Sequence, residues 1–247
     1  MLDPLEFQME HRISDLRPRG EVTRRDASRI IFERPRKFTL SSARLLENLY
    51  MVATRIRPSS MFHPESIEEI VQVHEIAKEL GSGMVVRKCG KQVYKVFLFS
   101  RKKEELAFRI PDLYESMGFQ EFILAQITIA NLTGDLLDFP GCCVRSFVRH
   151  LMNGSDQDLE AHDLLRKDRS PDPRAYFVER FVPCGPHCKN AVAEGERVEK
   201  GLHVLDRDLE EEYITLRSSH LNDVRNGKII KEKKRRDELM SLKPADH

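Results

Sequence analysis

Four of the five cysteines fall in two short segments, each marked by proline and glycine. The first is Phe139-Pro140-Gly141-Cys142-Cys143-Val144-Arg145-Ser146-Phe147, and the second is Val182-Pro183-Cys184-Gly185-Pro186-His187-Cys188. A helix-like pattern follows each. The simplest fold for such a chain is a scaffold that brings the two turns together. Pro186 suits the first helical position with Gly185 as its cap, which predicts Cys188 in the first turn and Cys184 just before it. Pro140-Gly141 likewise sets Cys142 and Cys143 at a helix start. Unpaired N–H groups and the helix dipole at such ends favour thiolates. Several thiolates gathered in one place call for a cation.

Three chemistries fit these residues. The first is an iron–sulfur cluster on Cys142, Cys143, Cys184 and Cys188, in which adjacent cysteines serve different irons. The second is one zinc ion on the same four, or with His187 or His150 replacing one of them. The third is a thiol-dependent redox enzyme with a reactive low-pKa cysteine and a resolving neighbour. A packed core of small buried residues is the plain alternative. Adjacent cysteines sit awkwardly on a single tetrahedral ion, so the cluster leads. His150, seven residues after Cys143, is two helical turns along the same face and is an accessory candidate. Cys89 reads as a bystander thiol at a strand edge or turn. No zinc-protease, P-loop or nucleophile-elbow signature is present, and no residue stands out as a general base, so enzymatic activity stays open.

The rest of the chain predicts a mainly helical single α+β domain over residues 39–224, with a small antiparallel β-meander. Leu45, Leu46, Leu49, Val52, Ala53 and Ile56 mark one helix face. A second helix starts at Pro64, with His74 on its inner side as a core histidine. Met84–Val86, Val93–Phe99 and Leu106–Ile110 read as the three strands of the meander. Phe119–Leu132 reads as a buried central helix broken by Gly134. Tyr176–Val178 reads as extended chain, and Leu205, Leu209, Tyr213 and Leu216 mark a closing helix.

Residues 1–38 form a basic arm and 225–247 a basic tail. Solvated surface is the ordinary role of such segments. The alternative function is an RNA- or protein-complex-binding protein with structural zinc, using Arg24, Arg25, Lys233, Lys234, Arg235 and Arg236. The net charge of +1 gives no global field toward nucleic acid or an anionic membrane. The apolar runs are too short to span a bilayer. The N-terminus has no charged lead before an apolar stretch, so a secretory signal is not expected and the cytoplasm is the expected compartment. Thiols stay reduced there, and clustered cysteines are then more often ligands or catalysts than disulfides.

The two motifs together, aromatic-Pro-x-Cys-Cys-Val-x-x-Phe (Phe139 to Phe147) and Pro-Cys-x-Pro-x-Cys (Pro183 to Cys188), resemble an uncharacterised archaeal family, domain of unknown function 483. The resemblance implies a cytoplasmic archaeal protein and supplies no activity. A fainter resemblance is to the cysteine-rich domain of heterodisulfide reductases, which implies only cluster binding. In this chain three residues, not two, separate Cys184 from Cys188, and the motif is not duplicated.

Overall fold

The computed structural model describes residues 15–19, 22–33, 40–41, 44–90, 93–116, 122–168, 170–178, 181–228, 230–231 and 234–235. These divide into two compact units, one within Met1–Arg109 and one within Ile110–Glu238. The fold is α+β and mainly helical, with one small antiparallel sheet. Among the described residues, no helix is long and apolar enough to cross a membrane.

In the first unit, α1 (Arg24–Ser28) is capped by Thr23, whose hydroxyl oxygen accepts from the Asp26 amide. π-helical turns follow at Arg29–Glu33 and Arg44–Tyr50, the latter running into α2 (Met51–Ala53). Leu46, Leu49, Val52 and Ile56 of the predicted face are buried, while Leu45 and Ala53 are half-buried; Glu47, Asn48, Tyr50 and Met51 are buried too, so the segment is covered on all sides rather than along one face. α3 (Ile67–Glu79) begins after Ser66 rather than at Pro64. Ser66 supplies the cap: its hydroxyl accepts from the Glu69 amide, while Glu69 accepts from the Glu65 amide. These two hydrogen bonds at the helix start outweigh proline's first-turn preference.

β1 (Ser59–Phe62), β2 (Gly83–Gly90) and β3 (Val93–Phe99) form the sheet in the order β1-β3-β2, all antiparallel. The sheet is therefore a β2–β3 hairpin with β1 added from earlier in the chain, not a meander. Leu106–Ile110 is not its third strand but part of α4 (Glu104–Ser116). Ala107 and Ile110, three residues apart, are buried there, which is a helical spacing. Cys89 lies in β2, beside a register shift between Lys88 and Gly90.

The second unit carries the cysteine segments. α5 (Phe122–Leu137) continues through Gly134, where a break is predicted, and Leu124 on its outer side is 73% exposed. The helix is one-sided, with Ala125, Ile129, Leu136 and Leu137 buried. Gly134 has a packing reason: a Cβ there would lie 2.5 Å from Val144 Cγ2 of α6 (Gly141–Met152). The glycine lets the two helices meet. Asp138 turns the chain between them with φ of 52°, a left-handed conformation that aspartate tolerates better than most residues.

α7 (Gln157–Lys167) is capped by Asp156. Leu159 is 49% exposed, and Gln157, Ala161 and Leu165 form the buried side. The Tyr176 region is a 3-10 turn (Pro173–Tyr176) rather than extended chain. It packs against α8 (Lys189–His203) and α9 (Arg207–Arg225), and α9 also packs on α7 and α8. α8 approaches the 3-10 turn so closely that a Cβ on Gly195 would collide with the Arg174 carbonyl oxygen. In α9, Leu209, Tyr213 and Leu221 are buried, and Arg217 lies inward beside half-buried Leu216. Arg217 is held by Glu199 at 2.5 Å. Cys143, Leu165, Tyr176, Phe177, Phe181, Ala191 and Val224 belong to one apolar core.

Candidate metal centre

Two local structures present the sulfurs. Pro140 is the N-cap of α6, and its carbonyl oxygen accepts from the amides of Cys143 and Val144 at 2.8 and 3.1 Å. This places Cys142 and Cys143 in the first helical turn, as the proline and glycine predict. In the second segment Cys188 is itself the N-cap of α8, and the helix proper starts at Lys189. Pro186 is therefore not the first helical residue. The Cys188 amide instead donates to the Gly185 carbonyl at 3.1 Å, closing a tight turn through Pro186 and His187. The loop is fastened from outside. Gln157 Nε2 donates to the buried Val182 carbonyl at 2.9 Å, and the Asp172 amide donates to the Pro186 carbonyl at 3.3 Å.

The result is a compact group of thiols. Cys142 Sγ lies 3.8 Å from Cys143 Sγ and 3.6 Å from Cys188 Sγ, and Cys143 Sγ lies 3.7 Å from Cys188 Sγ. All four sulfurs, with that of Cys184, lie within 4.8 Å of one another. Cys143 is buried, Cys142 and Cys188 are half-buried, and Cys184 is exposed. Phe139, Phe177 and Phe181 pack together beside the site in tilted and edge-to-face pairs, with ring centroids 4.5 to 6.2 Å apart. The sulfurs thus sit where the core meets solvent.

Their electrostatics follow from this placement. Burial pushes the Cys143 thiol far up, the neighbouring cysteines reinforce it, and a hydrogen bond from the Cys184 backbone opposes it. Cys184 is pushed up to about 11, first by desolvation and then by Cys188. Cys142 moves the other way. Desolvation raises it, but hydrogen bonds from Asn190 and from the other three cysteines outweigh that, so its pKa falls. Asn190 Nδ2 donates to Cys142 Sγ at 3.4 Å. Protein alone therefore keeps protons on part of this group, and a bound cation would invert that balance.

The two accessory histidines stand apart from the sulfurs. His187 Nε2 pairs with Asp168 Oδ2 at 2.7 Å, and its side chain is 61% exposed. His150 places Nδ1 2.8 Å from Ser155 Oγ and Nε2 3.1 Å from Glu160 Oε2. Each ring is engaged where it stands, and among the described residues only the four cysteines converge as metal-competent donors. Asn190 and Asp168 were not legible as neighbours of the site. Asn190 lies two residues past Cys188, the only cue the sequence carries for it. Arg24 and Arg25 are exposed on α1. Lys234 and Arg235 are exposed helical residues, while Lys233 and Arg236 lie outside the described residues.

Fold and site together define a mainly helical α+β protein with four convergent cysteines able to bind a metal. Residues 95–214 match the model of the family described as "Protein of unknown function (DUF483)". All four cysteines lie within the match. No curated protein and no solved structure matches the chain.

Proposed function

We propose that this is a metal-binding protein whose Cys142, Cys143, Cys184 and Cys188 hold one tetrahedral ion, with zinc as the best fit. The sulfur spacing carries the reading. A zinc–thiolate bond of about 2.3 Å sets the edge of an S4 tetrahedron at about 3.8 Å. The separations among Cys142, Cys143 and Cys188, 3.6, 3.7 and 3.8 Å, match that edge, and the Cys184 sulfur lies within 4.8 Å of the other three. In an iron–sulfur cluster, cysteines serve different irons and their sulfurs spread beyond one coordination sphere. Adjacent cysteines, awkward on one ion by spacing alone, are accommodated because Cys142 and Cys143 point to the same side of the first turn of α6.

Four thiolate ligands leave no open position, which is the pattern of a structural site. Such an ion would tie the Cys184–Cys188 turn to the start of α6 across the face of the aromatic group. The Asn190 amide would offset part of the anionic charge. Persistent thiolate ligation suits a reducing compartment, and the cytoplasm is the location this reading favours.

Metal analysis of protein purified without oxygen tests the proposal. One zinc per chain without visible colour is expected, retained by Cys89→Ser and lost in Cys143→Ser. Iron with acid-labile sulfide would replace the single-ion reading with the cluster.

A further inference from the structure

A structural ion leaves ligand recognition to another part of the surface, and the second unit has a cleft beside the cysteine loop. It measures about 670 Å³ and is lined by His162, Leu165, Arg166, Asp168, Arg225 and Asn226. The cleft is wide open to solvent, so it suits a charged group bound at the surface.

Two arginines from different helices line it, Arg166 from the last turn of α7 and Arg225 from the last turn of α9. Among the described residues, neither has a hydrogen-bond or ion-pair partner. Cations are common at helix C-termini because they offset the dipole. Here, however, carbonyls at both ends already have donors. Leu164 O accepts from the Asp168 amide, Asn222 O from the Asn226 amide, and Val224 O from the Gly227 amide. The guanidiniums are therefore available to the cleft.

The remaining groups are fixed. His162 Nδ1 donates to Val224 O at 3.1 Å, which leaves Nε2 as its other polar atom. Gly227, at φ of +67°, makes the turn that lets the chain pass the His162 ring; an added Cβ would sit 3.4 Å from Cε1. Asp168 is held on one side by His187. Burial pushes the Tyr176 hydroxyl up in pKa, with Asp168 adding to the shift and Arg225 opposing it.

We propose that this cleft binds a phosphorylated small molecule, with Arg166 and Arg225 gripping the phosphate and Asp168 accepting from a hydroxyl of the same ligand. Guanidinium forks match phosphate oxygens in pairs and give strong, directional hydrogen bonds. Asn226 and His162 complete the polar wall. The proposal does not depend on a metal at the cysteines.

Titration of the full chain with inorganic pyrophosphate, followed by calorimetry and by amide shifts, tests it. Saturable binding at one site per chain is expected, with the shifts centred on Arg166, Asp168 and Arg225. Arg166→Gln and Arg225→Gln should each weaken binding about tenfold, the loss of one charged hydrogen-bonding group. Arg207→Gln, an exposed arginine paired with Glu211 at the start of α9, should leave binding unchanged. Arg166 is exposed, so its variant should keep the wild-type melting temperature. Absence of saturable binding would overturn the proposal. Equal weakening by all three substitutions would overturn it as well, by showing non-specific charge attraction.

Discussion

Removing the ion from the cysteine site should lower the melting temperature sharply, and Cys143→Ser should abolish that response. An ion that binds only the folded chain, present at about a thousand times its dissociation constant, stabilises it by about 4 kcal/mol. For a chain of this size about 2–4 °C accompanies each kcal/mol, so chelation should cost roughly 8–16 °C. Cys143 is the most informative position because it is buried, 3% exposed, and its sulfur lies within 3.8 Å of two others. Serine keeps the shape but loses the soft ligand, and its buried hydroxyl adds about 1–3 kcal/mol of its own cost. The variant should therefore start low and show almost no further shift. The assay is calorimetry or fluorescence melting, with and without a thiophilic chelator at matched ionic strength. Amide exchange should loosen first at Gly141–Val144 and Cys184–Val192, the segments the ion ties together. A wild-type melt indifferent to chelator, or a Cys143→Ser protein with the same shift, would refute the reasoning.

Metal affinity should fall as pH falls, with proton release on loading, because Cys184 is held up to about 11 and Cys143 higher still without a cation; buffers of different ionisation heat in calorimetry measure the protons. Asp172 is held below its ordinary 3.8 by the Arg174 hydrogen bond, so its contribution is present above that range and lost as pH falls through it. Arg174→Gln should flatten that acid-side dependence in denaturant midpoints measured from pH 2 to 6. Gly195→Ala should destabilise by about 1–3 kcal/mol, because the new methyl meets the Arg174 carbonyl oxygen and the 3-10 turn must move. His187→Ala should leave metal content unchanged, since His187 faces Asp168; loss of metal would make it a ligand.

The cysteine site was legible because proline and glycine punctuate it. Pro140-Gly141 fixed the start of α6 correctly, and the four sulfurs do converge. Which of the ions they suit was not legible, since spacing along the chain does not give sulfur–sulfur distances. The start of α8 lies three residues later than Pro186 predicts, because the Cys188 amide closes a turn on Gly185 and leaves Cys188 as the cap. The sheet was half legible. β2 and β3 follow their apolar, β-branched pattern, but β1 is only four residues between Pro58 and Pro64 and carries no alternation of its own. Leu106–Ile110 is a short, nearly continuous apolar run that reads like a strand, yet Glu104 and Glu105 in the first turn and buried Ala107 and Ile110 serve a helix. Gly134 illustrates the general limit. A glycine in a helical run reads locally as a break, and only the approach of Val144 from another helix reveals it as a contact.

X-ray absorption at the metal edge tests the central claim most directly, on protein purified without oxygen. The single-ion account predicts a first shell of four sulfurs at about 2.3 Å and no metal–metal scattering. A short metal–metal vector with bridging sulfide would contradict it and return the site to the iron–sulfur reading.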